Sequence, residues 1–206
     1  GINGSGMHTN ISVAKNGKNT FYDENGENNM SESGQDFIKR ILHSAEDLCL
    51  ILNASVNAYR RLDPNYEAPN EIASSATDRS SMIRIPLAGK AGQRLEVRSV
   101  GPDSNPYLLI YTLLRTGLEG PQPDANAPKP RRIRKRVLPG NIYDAMGSYR
   151  RSTWLRELMG EDSHAKYHEL KQMSAHRCPR ELGTIIKRAE LRFHHEVTNQ
   201  MMWNRF

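Results

Sequence analysis

Short runs of alternating apolar and polar residues fill much of the first hundred positions. Met7, Thr9, Ile11 and Val13 alternate with His8, Asn10 and Ser12, which predicts a strand with one mostly apolar and one entirely polar face. Asn16-Gly17 and Asn25-Gly26 are turn signals, and Asn19–Tyr22 reads as a hairpin partner. Around Ile83 and Ile85 the same alternation sets Met82 and Arg84 on the opposite face. In Arg94-Leu95-Glu96-Val97-Arg98, the three charged residues share one face and the two apolar residues the other.

Elsewhere the spacing is helical. Phe37, Ile41, Ala45, Leu48 and Leu52 predict a helix over Ser33–Asn53, opened by a capping box of Ser33 and Asp36. Asn105–Leu118 reads as a second helix, with Pro106 tolerated in its first turn. Asn141–Met159, stopped by Gly160, then Asp162–Ala175 and Pro179–Val197 follow. The expected fold is α+β. An antiparallel sheet from residues 1–100 packs against the 33–53 and 105–118 helices, and a helical C-terminal region comes after it. Three stretches differ in character: 1–119, a Pro-rich basic connector at 120–140, and the helical 141–206.

Charge and composition narrow the class. Lys and Arg number 29 against 23 Asp and Glu, a formal net charge of +6 over 206 residues. The hydrophobic fraction of 37% suffices to bury a core. The longest apolar stretches, such as Leu48–Leu52, fall far short of the roughly 18 residues that cross a bilayer. Gly1-Ile2-Asn3-Gly4 has neither the basic nor the apolar part of a signal peptide. Of the two cysteines, Cys49 and Cys178, the first sits in an apolar helical pattern and is expected to be a reduced, buried thiol. These features predict a soluble cytoplasmic protein. The absence of an initiator Met and the Gly-rich opening suggest a piece of a longer one.

Four constellations could carry chemistry. In Asn3-Gly4-Ser5-Gly6-Met7-His8, a glycine-rich turn precedes a histidine able to ligate a metal; an ordinary turn with a surface histidine has the same pattern. In Arg94–Arg98, a carboxylate lies between two arginines on one strand face, each roughly 6.5–7 Å away. It could hold a cation between anions bound by the arginines, or be a solvated face of weak ion pairs. The stretch Ala58-Tyr59-Arg60-Arg61-Leu62-Asp63-Pro64-Asn65-Tyr66-Glu67-Ala68-Pro69 predicts a loop presenting Glu67 as a candidate general base. In Asp78-Arg79-Ser80-Ser81-Met82-Ile83-Arg84-Ile85-Pro86, Arg84 has an apolar strand behind it. Together Arg61, Arg79, Arg84, Arg94 and Arg98, interleaved with Glu67 and Glu96, imply a polyanion with a cation. A nucleoside triphosphate with magnesium fits better than nucleic acid, because the cluster lacks interleaved aromatic platforms.

These four motifs, in this order and spacing, resemble the C-terminal half of the glutamine synthetase catalytic domain. The resemblance covers residues 1–119 closely and 139–206 in outline. It implies ATP-dependent ligation of ammonia to glutamate through γ-glutamyl phosphate. It also implies a homo-oligomeric ring with active sites between subunits. By motif position it implies His8 and Glu96 as ligands of Mg²⁺ or Mn²⁺. Asn3 and Gly4 would line the glutamate site, and Arg61 would pair with the substrate carboxylate. Glu67 would deprotonate the attacking ammonium and close the entrance. Arg79 and Arg98 would meet the transferring phosphoryl group and the γ-carboxylate, while Arg84 and Arg94 would hold ATP phosphates. Asn10 and Ser12 would lie toward the nucleotide, where many bacterial members have a second histidine in place of Asn10. Lys90 stands one residue from the family's nucleotide-contacting lysine. The family's N-terminal domain and Glu-rich metal strands do not occur in this chain, so only part of a site is expected.

Two alternatives stand beside this reading. The acceptor could be another amine, such as methylamine or a polyamine. The chain could instead be a basic nucleic-acid-binding fragment resting on Arg131–Arg136. His164 and His168, four apart on a helix, are expected to be a solvated face rather than a zinc pair, and His194-His195 a poor pair. Tyr143, in Asn-Ile-Tyr-Asp, aligns better with the start of a helix than with the family's adenylylated segment. The terminal Met201–Phe206, with Trp203, is apolar enough to seek burial.

Overall fold

The computed structural model describes residues 5–62, 68–124 and 135–176. Helices pack against a small sheet, and one continuous apolar core joins them. The α+β architecture expected from the sequence is present. The helix expected at 179–197, with His194 and His195, and the 201–206 tail lie outside the described residues.

Strand β1 is Thr9–Ile11. A hairpin follows, β2 (Ala14–Lys15) and β3 (Lys18–Asn19), turning at Asn16 and Gly17 with φ of 52° and 72°. Those positive values are what an Asn-Gly turn supplies. The principal sheet adds β4 (Glu71–Ser75), β5 (Ser81–Arg84) and β6 (Leu95–Val97), in the order β1-β6-β5-β4. β6 runs antiparallel to both β1 and β5. β4 and β5 are parallel, contrary to the all-antiparallel sheet read from the sequence. Residues 76–80 carry the chain back from the end of β4 to the start of β5. Parallel neighbours ordinarily need a crossover of a dozen or more residues, so alternation and loop length gave no sign of it.

The predicted helix 33–53 is two helices, α1 (Glu32–His43) and α2 (Ala45–Leu52), which part at Ser44. Both halves are apolar at helical spacing, so periodicity cannot reveal the break. The cap is Ser31, not Ser33: its hydroxyl accepts from Gly34 N at 3.2 Å and donates to Thr20 O at 2.6 Å. α3 (Val56–Arg61) occupies part of the stretch expected to be loop, capped by Ser55. α4 (Pro106–Glu119) starts as expected, with Asn105 Oδ1 accepting from Tyr107 N and Leu108 N. The predicted helix 141–159 is again two, α5 (Ile142–Arg151) and α6 (Thr153–Met159). Ser152 takes an extended conformation between them, and its hydroxyl accepts from Leu155 N at 3.2 Å. Gly160, at φ 76°, ends α6 before α7 (Glu161–His176).

The helical C-terminal region docks on the earlier helices. Tyr167 donates to Leu50 O at 3.2 Å, Trp154 Nε1 to Thr116 Oγ1 at 2.9 Å, and Tyr111 to Leu158 O at 3.0 Å. The end of the connector lies along the outer edge of β4. Ile72 N donates to Arg136 O and Leu138 N to Asn70 O, each at 2.8 Å. His164, expected on a solvated face, is buried against Tyr149. Its polar ring suggested exposure, but a carbonyl partner inside the bundle satisfies it.

Candidate active site

The register of the sheet gathers the polar residues. Asn10 on β1 stands opposite Glu96 on β6, and Glu96 stands opposite Arg84 on β5. Directly opposed residues share a face. The opposite face carries Ile11 against Leu95, and Val97 against Ile83, all buried in the core. The apolar row thus fixes the register that assembles the polar one.

Glu96 is the centre. Its side chain is only 11% exposed, against 41% for His8 and 48% for Arg84. His8 Nδ1 lies 3.2 Å from one carboxylate oxygen and Arg98 Nε 3.5 Å from the same oxygen. Arg84 Nη1 lies 3.7 Å from the other. The two arginine contacts are long for well-formed hydrogen bonds. The nearly buried Glu96 carboxylate is therefore faced by two guanidiniums without being tightly bonded to either.

Arg98, Arg94 and Arg61 each have a main-chain or side-chain seat. Arg98 donates from Nη1 to Arg79 O, and its own N–H bonds Met82 O at 2.8 Å. Arg79 stands in the exposed 77–80 turn, where Asp78 Oδ1 accepts from Ser80 N and Ser80 Oγ, both at 2.8 Å. Arg94 Nε donates to Asn10 Oδ1 at 2.9 Å, and Arg94 Nη1 to Gly92 O at 3.1 Å. Arg61, at the end of α3, donates from Nη2 to Val100 O at 2.9 Å and from Nη1 to Arg98 O at 3.3 Å. Burial, then the Arg98 charge, hold the Arg61 pKa below its usual value. Burial also lowers the pKa of His8, aided by Arg98 and Arg61 and opposed by Glu96. The neutral ring, able to offer a lone pair, is thereby favoured at pH 7.

His8, Asn10, Arg61, Arg79, Arg84, Arg94, Glu96 and Arg98 are thus linked directly or through one another. Ser12 is exposed just beyond β1, and Lys90 is exposed in the Gly89–Gly92 turn; among the described residues no hydrogen bond or ion pair joins either to the cluster. Asn3, Gly4 and Glu67 lie outside the described residues. Sequence reasoning gave no role to Val100, whose carbonyl also accepts from Met7 N at 3.0 Å. Nothing in a side-chain pattern marks a main-chain acceptor. Asp78 was also passed over, although Asp-x-Ser is the signature of the turn it forms.

The donor set suits a hard divalent cation in part. A carboxylate oxygen and an imidazole nitrogen face each other at 3.2 Å, and a cation replacing that contact would take both as ligands. A near-octahedral shell needs more oxygen donors. No group of three or more His, Cys, Asp or Glu converges among the described residues.

The family model for the glutamine synthetase catalytic domain matches residues 1–188. The chain belongs to that family. It is 39% identical to a glutamine synthetase of Thermus thermophilus over 186 residues, covering 84% of this chain and 42% of that protein. It is 37% identical to one from Methanococcus voltae, over 83% of this chain and 41% of that protein. For one from Clostridium saccharobutylicum the identity is 36%, over 81% and 41%. The chain therefore spans about two fifths of the length of these relatives. No helix among the described residues is long and apolar enough to cross a membrane.

Proposed function

We propose that this chain is part of an ATP-dependent ligase that joins ammonia to the γ-carboxylate of glutamate. Residues 1–119, the 120–140 connector and 141–206 would then be parts of one catalytic domain. The enzyme would be a cytoplasmic homo-oligomeric ring. The observation that carries the reading is Glu96, nearly buried and faced by His8, Arg84 and Arg98, with the Asn10–Arg94 pair beside it. Guanidiniums around one carboxylate on a single sheet face suit a nucleoside triphosphate and a cation together.

In the reaction, a γ-carboxylate oxygen of glutamate attacks the γ-phosphorus of ATP. The bond to the β-phosphate oxygen breaks, leaving ADP and γ-glutamyl phosphate. Ammonia then attacks the acyl carbon and phosphate departs. Such phosphoryl transfer depends on positioning and charge neutralisation more than on covalent help. Arg61 binds a carboxylate of glutamate, beside Asn3 and Gly4. Arg84 and Arg94 hold ATP phosphates, with Asn10, Ser12 and Lys90 on the nucleotide side. Arg79 and Arg98 offset the charge on the moving phosphoryl group, and Arg98 also meets the γ-carboxylate. Glu67 takes the proton that ammonium must lose. His8 and Glu96 would hold Mg²⁺ or Mn²⁺, which supplies neutralisation of phosphate charge when bound.

Of the basic stretch on which the nucleic-acid reading rests, the two described residues have partners within this chain. Lys135 pairs with Glu71 at 2.8 Å, and Arg136 with Glu46 at 3.5 Å, within this chain. The deciding assay is phosphate release from ATP by the complete polypeptide, with glutamate and ammonium, methylamine or a polyamine. Glu96→Gln keeps size and removes charge, and should lower turnover by roughly a hundredfold or more and alter the Mg²⁺ dependence. Near-normal turnover with unchanged metal dependence would make Glu96 an ion-pair residue only. A preference for another amine would move the chain to a different γ-glutamyl ligase.

A further inference from the structure

Gly6 lies just ahead of β1, two residues before His8. It stands against the end of the Arg61 side chain. A Cβ placed on Gly6 would come 2.8 Å from Arg61 Nη1 and 3.4 Å from both Arg61 Cζ and His8 Cδ2. The first distance is shorter than carbon and nitrogen tolerate; the other two are close to ordinary contact. No main-chain atom stands within 4 Å among the three nearest neighbours.

That asymmetry decides what a methyl group would do. It would push a guanidinium at the end of a flexible side chain, not a strand. Arg61 has one seat in the described structure, the carbonyls of Arg98 and Val100. Its Nε is buried without a partner and offers no second anchor. Two of its five N–H groups are used by the carbonyls, and the remaining Nη hydrogens face the choice of an anion or water. If the guanidinium moves, Val100 O still accepts from Met7 N, and the contact given up is the longer one, to Arg98 O at 3.3 Å.

We propose that Gly6 is a positioning residue for substrate carboxylate recognition: the missing side chain is the space in which the Arg61 guanidinium sits. This rests on the assignment of Arg61 to a glutamate carboxylate above. It adds that Gly6 sets the place of that arginine and has only a grazing effect on His8. The same glycine therefore separates two functions that its neighbours bring together. Arg61 is sensitive to its side-chain volume, and the His8–Glu96 pair is not.

The test is steady-state kinetics of Gly6→Ala in the complete polypeptide, alone and combined with Arg61→Lys, whose ammonium has no Nη1 to meet the methyl. The expected result is a rise of tenfold or more in the KM for glutamate, with the KM for ATP and the Mg²⁺ dependence within twofold of wild type. The melting temperature should stay within about 2 °C. On the Arg61→Lys background, Gly6→Ala should change the glutamate kcat/KM by less than twofold. An unchanged glutamate KM would overturn the proposal. So would equal losses for glutamate and ATP, a full penalty on the Arg61→Lys background, or a variant that fails to fold. If the wild-type polypeptide releases no phosphate with glutamate, the ligase reading fails and takes this proposal with it. Wild-type activity with an indifferent Gly6→Ala sinks the proposal alone.

Discussion

Tyr149 and His164 clasp each other in both directions. His164 Nε2 bonds Tyr149 O at 3.0 Å, the Tyr149 hydroxyl donates to His164 O at 3.2 Å, and the rings stack at 4.2 Å and 10°. Both residues are buried, so α5 and α7 are joined by a polar pair inside the bundle. His164→Ala removes the stack, worth about 0.5–1.5 kcal/mol. It also removes one hydrogen bond, worth about 0.5–1.5 kcal/mol, while the Ser152 N–H still donates to the Tyr149 carbonyl at 3.1 Å. The expected loss is about 1–3 kcal/mol in urea unfolding. His164→Phe should recover the stacking part only. Equal losses in both variants would mean that the ring stack contributes nothing.

Gly117 on α4 lies directly against the Phe37 ring of α1. A Cβ there would lie 2.2–2.3 Å from three atoms of the Phe37 ring, and that ring is itself packed on Phe21 at 5.2 Å. Overpacking costs about 1–3 kcal/mol, occasionally more. Gly117→Ala should therefore destabilise by at least about 2 kcal/mol, and Phe37→Leu in the same chain should return part of it. A neutral Gly117→Ala would show that the helices can slide apart freely.

Cys49 is fully buried, and burial pushes its thiol pKa up to about 12 from 9.0. A proton held more tightly in the folded state stabilises the protein below the unfolded pKa, and that contribution is lost as pH rises toward the folded one. Stability should fall as pH climbs from about 9 toward about 12. Cys49→Ala should flatten the first part of that decline. Tyr149 and Tyr167, raised by the same burial, act in the same direction at higher pH. Peptide mapping after iodoacetamide at pH 8 should find Cys49 unlabelled until the chain is denatured.

Asn10 orients Arg94 through a single 2.9 Å bond. A hydrogen bond to a charged group contributes about 1.5 kcal/mol or more, roughly tenfold in binding. Asn10→Ala should raise the KM for ATP by about that factor and leave that for glutamate unchanged. An equal effect on both substrates would place Arg94 away from the nucleotide.

The connector's attachment should depend on its apolar residue rather than its charges. Leu138 is 4% exposed beside the β4 edge; Leu138→Ala should cost about 2–5 kcal/mol. Lys135, bonded to Glu71 from an exposed position, should be replaceable by Ala without measurable change in urea midpoint. Exposed pairs are weak because water screens them.

Sequence pattern alone determined the strand at residues 94–98, the face on which Glu96 and its arginines lie, where α4 and α5 begin, and the family. These are local properties: period-two alternation, a proline in a first helical turn, four motifs at fixed spacing. It could not show that helix 33–53 breaks at Ser44, because both halves are apolar at the same period and only packing tells them apart. It could not show the parallel β4–β5 pair, since strand direction is a relation between segments. It missed the burial of His164, because a histidine becomes a core residue only when a carbonyl from another helix meets its ring. For the same reason the seat of Arg61 was invisible. Its partners are the carbonyls of Arg98 and Val100, which every residue possesses, and only the fold brings those two within its reach.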